Sequence, residues 1–414
     1  MSRPRFLLLA LLVLTLFDAE LSAAPLTLNQ ALQQAVQTYP ALAAQQARLD
    51  AARQAVIPAA ELPDPRLAIG IDNFPISGPM AGSLTADSMT MQRIGVVQEV
   101  PNADKRQARR ESAEARVAQA GAEQQAVQRA VRRDTALAWI TRLTAEKKLA
   151  QFAQLEQENR LLAEAVRARI ASGQARVDEA VMPKQEALKL ADQRDELHAQ
   201  QQQASAALQR WLGQAADEPL DAAWPTWPVE RSALQARLHQ HPELAVFAPR
   251  DQVLAAEMRE AEAAKHPDWG VALAYQRRGQ QYGDMVSAEF SFDLPIFAAS
   301  RQDPRIAEKQ AERVGLEAER EDMLRQHTEE LERDLAEYER LERTVNRQRD
   351  ALLPLLVSKL DLLLASYRAG KAGLAEVIAA RAESQAAQLQ LIELEGQRSM
   401  AAARLHFVYG EDAE

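Results

Sequence analysis

The residue types able to do chemistry are sparse and scattered in this chain. It has no cysteine, which removes disulfides, thiolate metal ligands and cysteine nucleophiles together. Its one close histidine pair is His239-x-His241. A two-residue spacing does not put both rings on one helical face, and Pro242 beside it reads as a polar loop. Met89 and Met91 alternate so as to share a strand face; a soft-metal site without thiolates would need such methionines, but lipid-facing apolar residues explain them as simply. There is no Gly-rich phosphate loop, no nucleophile elbow and no clustered ligand set. The expectation is a protein that is not an enzyme, with no catalytic residue, no cofactor and no resident metal. What remains is a pair of glycine turns with acids close behind: Gly173 before Val177, Asp178 and Glu179, and Gly370 before Leu374, Glu376 and Val377. Carboxylates there begin returning helices, where the helix dipole favours them.

Long helices must position those turns. Asn102 is a good N-cap, and from Ala103 to Ser172 there is no proline and one glycine, Gly121. Roughly 70 residues of helix would reach about 105 Å. In the second half Asp303 is the expected cap with Pro304 at the first helical position, where it is tolerated, and the helix pattern runs to Ala369. Leu324, Leu331, Leu335, Tyr338, Leu341, Val345, Leu352, Leu356, Leu360 and Leu363 form a coiled-coil-like seam. Pro183 and Pro354 are expected to kink or locally break their helices. A glycine after the last turn suits a left-handed cap, and second helices run back over about Val177 to Leu212 and Leu374 to Phe407. Each half therefore holds a long antiparallel helical hairpin.

Between the helices lie four short segments of period two. Leu67, Ile69 and Ile71 alternate with Ala68, Gly70 and Asp72, and Ile94, Val96 and Val100 with Arg93, Gly95 and Glu99. Trp269, Val271, Leu273 and Tyr275 alternate with small or polar residues, and Val286, Ala288, Phe290, Phe292 and Leu294 with Ser287, Glu289, Ser291 and Asp293. Apolar-out, polar-in strands of about ten residues suit a membrane barrel with a wet lumen. Four strands cannot enclose a channel, and spanning strands must close, so several copies have to share one barrel.

The halves repeat these landmarks in order. Tyr39-Pro40-Ala41-Leu42 returns as His241-Pro242-Glu243-Leu244, the Pro63–Gly70 segment as His266–Leu273, and Ala171-Ser172-Gly173 as Arg368-Ala369-Gly370. A fixed order at offsets near 200 signals duplication. The expected division is a signal peptide at 1–23, a first repeat at 24–216 with its β-hairpin at 66–100, a linker at 217–229 and a second repeat at 230–414 with its β-hairpin at 269–294. Arg3 and Arg5 precede an apolar run of about twelve residues, too short to span a bilayer, and Leu21-Ser22-Ala23 offers a cleavage site. The net charge of −10 argues against a nucleic-acid surface.

Taken together, the export signal, the duplicated helix–hairpin–helix halves, the strand pairs closed by Pro101 and Pro295, and the turns Ala171-Ser172-Gly173 and Tyr367-Arg368-Ala369-Gly370 followed by Leu374-Ala375-Glu376-Val377-Ile378 resemble the TolC-like outer-membrane efflux protein family. The fold this implies is mainly α with a small β part: long helical hairpins forming a periplasmic α-barrel, and four strands per protomer in a trimeric twelve-stranded outer-membrane β-barrel. It also implies a homotrimer docked to a periplasmic adaptor and an inner-membrane resistance–nodulation–division pump. The segments Pro63-Asp64-Pro65-Arg66 to Ile71-Asp72-Asn73-Phe74-Pro75 and Gln98-Glu99-Val100-Pro101-Asn102 are similar to the branch serving heavy-metal cation exporters. On this resemblance Gly173, Val177, Asp178, Glu179, Gly370, Leu374, Glu376 and Val377 lie at the adaptor-docking periplasmic entrance. Glu376 and Asp178 are then expected in acidic rings that attract cations. The alternatives are a periplasmic coiled-coil scaffold, which leaves the strands without a task, or a duct for drugs or a secreted protein.

Overall fold

The structure, a computed structural model, describes residues 25–410; the expected signal peptide lies outside the described residues. Two short helices open the described residues, α1 (Leu28–Thr38) and α2 (Pro40–Ala59). Thr27 and Gln30 form a reciprocal capping box at the start of α1, which satisfies two otherwise orphaned amides. Strands β1 (Arg66–Asp72) and β2 (Met91–Val100) follow. Helix α3 (Ala103–Ala171) then runs 69 residues, about 100 Å at 1.5 Å per residue, capped by the Asn102 side chain as its sequence predicts. After the Gly173 turn and one 3₁₀ turn, α4 (Val181–Leu212) returns.

The second half repeats this order. The short helices α5 (Arg231–Arg237) and α6 (Pro242–Ala245) precede α7 (Phe247–Ala263). Strands β3 (Trp269–Arg277) and β4 (Met285–Phe292) follow, then α8 (Ala298–Arg347), α9 (Leu353–Arg368) and the returning α10 (Leu374–Leu405). Helix α3 packs against α2 and α7 on the sheet side and against α4 and α10 towards the glycine turns, while α8 packs against α7 and α10. The largest core lies between these ends, where Trp139, Ile140 and Leu143 of α3 meet Leu32, Leu208, Leu212 and Phe407. The stretch after α4 is pinned there. Leu26 donates its amide to Pro219 and accepts from Asp221, and buried Arg142 donates to the carbonyls of Ala216 and Glu218.

Several details depart from the sequence expectation. Helix α8 starts at Ala298, so Pro304 lies inside the helix and Asp303 is not its cap. Pro304 falls in the second turn, where it leaves the Ser300 carbonyl without its i→i−4 donor, and Asp303 pairs with Lys265 at 2.5 Å. Pro183 sits in the first turn of α4, after the 3₁₀ turn, and breaks nothing. Pro354 does break its helix: a π-turn at Gln348–Leu352 precedes it. One extra residue in that turn rotates the seam, so Leu341, Val345 and Leu356 are buried while Leu352 is exposed. Met89 precedes β2 rather than sharing its face, and Leu294 lies beyond β4.

The four strands form one antiparallel sheet in the order β1-β2-β3-β4. Antiparallel partners point the same way, so the register defines two faces. One carries Leu67, Val96, Leu273 and Ala288 in a row, then Ile69, Ile94, Tyr275 and Val286, with Trp269 beside Phe292. The other carries Ala68, Gly95, Ala274 and Ser287, then Gly70, Arg93 and Gln276. The apolar face is the exposed one: Ile69 is 75% and Phe290 64% accessible. Met91, opposite Asp72, belongs to the small and charged face.

Candidate functional site

Both glycine turns are built alike. Gly173 has φ +72° and Gly370 φ +73°, the left-handed conformation in which a Cβ is penalised. In the first, Gln174 N–H donates to Arg169 O at 2.8 Å and Gly173 N–H to Ile170 O at 3.0 Å; in the second, Lys371 donates to Ser366 and Gly370 to Tyr367 at the same distances. This paired pattern closes the carbonyls that a helix end leaves open.

The residues behind the turns fall into two groups. Leu374 and Val377 are buried with Val166 and Tyr367 in a core that joins the tips of the two hairpins. Val177 stands at the matching place of the first half, yet it is 77% exposed. Asp178 is exposed and held by Arg176, and Glu179 caps the 3₁₀ turn by accepting from the Arg176 amide. Glu376 is exposed in the first turn of α10 and has no ion-pair partner among the described residues.

Residues that the sequence reading did not assign complete the tip. Tyr367 donates its hydroxyl to Glu179 at 3.1 Å, and Arg169 lies 4.0 Å over the Tyr367 ring while donating to the Tyr367 carbonyl. Burial, then the Glu179 carboxylate, raise the Tyr367 pKa, so the hydroxyl remains a donor at neutral pH. These contacts tie the first hairpin to the second across about 190 residues of sequence, and no local pattern announces them. Tyr367 beside the Gly370 turn was the one visible signal.

At the other end the sheet's small face carries the ion pairs Arg66–Glu99 at 2.6 Å and Arg93–Asp72 at 3.5 Å. At Gly95 the strands leave no room for a side chain. A Cβ on Gly95 would lie 2.8 Å from Ala274 Cβ and 2.9 Å from the Leu273 carbonyl. His239 and His241 do not converge, since His239 is exposed and His241 buried. No helix among the described residues is long and apolar enough to cross a membrane. The sheet carries an exposed apolar face, with Leu67, Ile69, Leu273 and Phe290 on it.

Comparison with known proteins agrees with this architecture. The outer membrane efflux protein family model matches residues 31–214. No curated protein matches the chain. A membrane protein of Pseudomonas aeruginosa superposes with a TM-score of 0.79 at 17% identity, covering 92% of this chain and 90% of that one. CusC, in a study of transmembrane channel formation, gives 0.77 at 15% identity over 93% and 92%. The outer membrane protein VceC of Vibrio cholerae gives 0.74 at 20% identity over 92% and 96%. At these identities the structural matches establish the fold. Residues 31–214 are thus similar to the outer membrane efflux protein family, and the chain shares the fold of these channel structures along its length.

Proposed function

We propose that the protein is the outer-membrane conduit of a tripartite efflux system, passing heavy-metal cations passively from an inner-membrane resistance–nodulation–division pump and a periplasmic adaptor to the exterior. The observation that carries the conduit is the sheet, apolar and exposed on one face, small and charged on the other, with β1 and β4 at its edges. In hydrocarbon every backbone amide and carbonyl needs a partner, so such a sheet is stable only when copies of the chain close the edges. Three copies of four strands make twelve, an even number in the range of such barrels. Exposed apolar side chains along the helices, among them Ile57, Val314, Leu355 and Leu362, favour the same assembly, since neighbouring copies would cover them.

The periplasmic entrance in this reading is the tip: the Gly173 and Gly370 turns with Val177, Asp178, Glu179, Leu374, Glu376 and Val377. Asp178 and Glu179 already have partners within the chain, so Glu376 is the acid we assign to a cation-attracting ring. Metal cargo is supported by the likeness of residues 63–75 and 98–102 to the heavy-metal branch. The repeats at 24–216 and 230–414, joined by 217–229, are proposed as the units of the duplication.

Heat-modifiable trimers in outer-membrane fractions are the expected finding, and a soluble periplasmic monomer would overturn the conduit. A deletion strain is expected to lose tolerance of at least one of copper, silver, zinc, cobalt or cadmium salts. Normal metal tolerance with lost drug tolerance would keep the conduit and reassign the cargo.

A further inference from the structure

His241, set aside as half of an unproductive sequence pair, meets a residue 86 positions away. It caps α6, and His327 projects from the middle of α8 against it, with ring centroids 3.8 Å apart. Both rings are buried, at 6% and 4% exposure. His327 Nε2 lies 3.1 Å from Glu243 Oε2. One ligand atom from each of His241, Glu243 and His327 can be chosen so that all lie within 4.8 Å of one another. We propose that these three residues form a site for a divalent transition-metal cation of the zinc class within a single chain, its two imidazoles buried and Glu243 exposed at its rim.

The donor chemistry fits that ion. Two imidazoles and one carboxylate are a recurrent zinc set that leaves a fourth position open. Tetrahedral metal–ligand bonds of about 2.0–2.2 Å place ligand atoms about 3.3–3.6 Å apart, so the side chains must turn toward one another to close the set. Beside it lies a cavity of about 30 Å³ lined by Arg129, Ala130, Arg133, His241 and Glu243, which has room for the water that would fill the fourth position.

The surroundings supply a second layer. His327 Nδ1 is buried without a hydrogen bond of sound geometry, yet Glu330 Oε2 lies only 3.3 Å away. A metal on the Nε2 side leaves Nδ1–H to turn onto Glu330, the carboxylate–histidine–metal relay that fixes a ligand ring. The Tyr409 hydroxyl reaches the His327 carbonyl at 3.4 Å and holds the backbone of α8 there. Arg129 and Arg133 face the site from α3 and oppose a cation, while Glu243 and Glu330 balance their charge. The ion would fasten the start of the second half to the centre of a long helix.

This inference does not rest on the efflux reading, because a site made from one chain's own ligands holds its ion and does not conduct it. The test uses full-length protein purified from membranes in detergent, stripped with a chelator and titrated with zinc against a fluorescent zinc chelator. One zinc per chain is expected, with His241→Gln and His327→Gln each weakening binding about 100-fold and Glu330→Gln, a positioning change, about 10-fold. His239→Gln is expected to bind as the parent does. Cobalt(II) in the parent protein is expected to show the intense visible absorption of a four-coordinate site, with the band shifted in Glu330→Gln. No stoichiometric zinc in the folded parent overturns the proposal. So does zinc held equally well by folded His241→Gln and His327→Gln, or a six-coordinate cobalt spectrum.

Discussion

Gly173 and Gly370 are held in the left-handed region with no atom within 4 Å of where a Cβ would stand. A substitution there reports backbone strain alone. Gly370→Ala is expected to cost about 1–2 kcal/mol, and Gly370→Asn less, because asparagine tolerates this conformation. Urea unfolding of the two variants measures the difference. Leu374 and Val377 are buried where Val177 is exposed, and they pack the tips of the two hairpins together. Glu376 is the acid left facing solvent. Glu376→Gln is expected to lower cation preference in planar-bilayer recordings, and an unaltered preference would count against the ring.

The elements meet at one polar junction. Asp268, just before β3, accepts from the Asn102 amide at 2.8 Å and pairs with Lys105 at 2.7 Å, joining the second strand pair to the N-terminus of α3. Burial pushes the Asp268 carboxyl upward, but Lys105 and Asn102 outweigh it and leave the pKa below its usual 3.8. A carboxylate lowered in the folded state stabilises fully above the unfolded value, and that stability is lost as pH falls through the folded one. Asp268→Ala is therefore expected to cost about 1–3 kcal/mol at pH 7, with the gap to the parent closing below about pH 4; thermal unfolding at pH 7 and pH 3 tests this. Within the sheet, Gly95→Val places its Cβ against the Leu273 carbonyl and Ala274. The backbone there cannot yield without breaking the β2–β3 ladder. The expected result is loss of heat-modifiable oligomer from outer-membrane fractions, while Gly121→Val, on open helix surface, keeps it.

For the whole molecule, the apolar sheet face has value only in lipid. Phe290→Arg, on that face of β4, is expected to destabilise by about 2–4 kcal/mol if it lies near the midplane. Refolding into bilayers under urea is the measurement, and Ser291→Arg on the opposite face serves as its contrast. A cost equal on both faces would remove the lipid assignment.

By itself the sequence determined the helix–hairpin–helix order, the duplication, the glycine turns and the alternation of the strands, because periodicity, caps and left-handed glycines are local properties of a chain. It misplaced the start of α8 because no side chain caps that helix, so its first turn carries no local start signal. It missed the phase shift before Pro354 because a π-turn leaves the composition unchanged. Only the tertiary structure decided which of two equivalent positions is buried, Leu374 or Val177, and that Tyr367 answers Glu179. It also brought His241 to His327. These depend on how helices far apart in sequence rotate against one another, and a rotation set by packing partners is not written in any single segment.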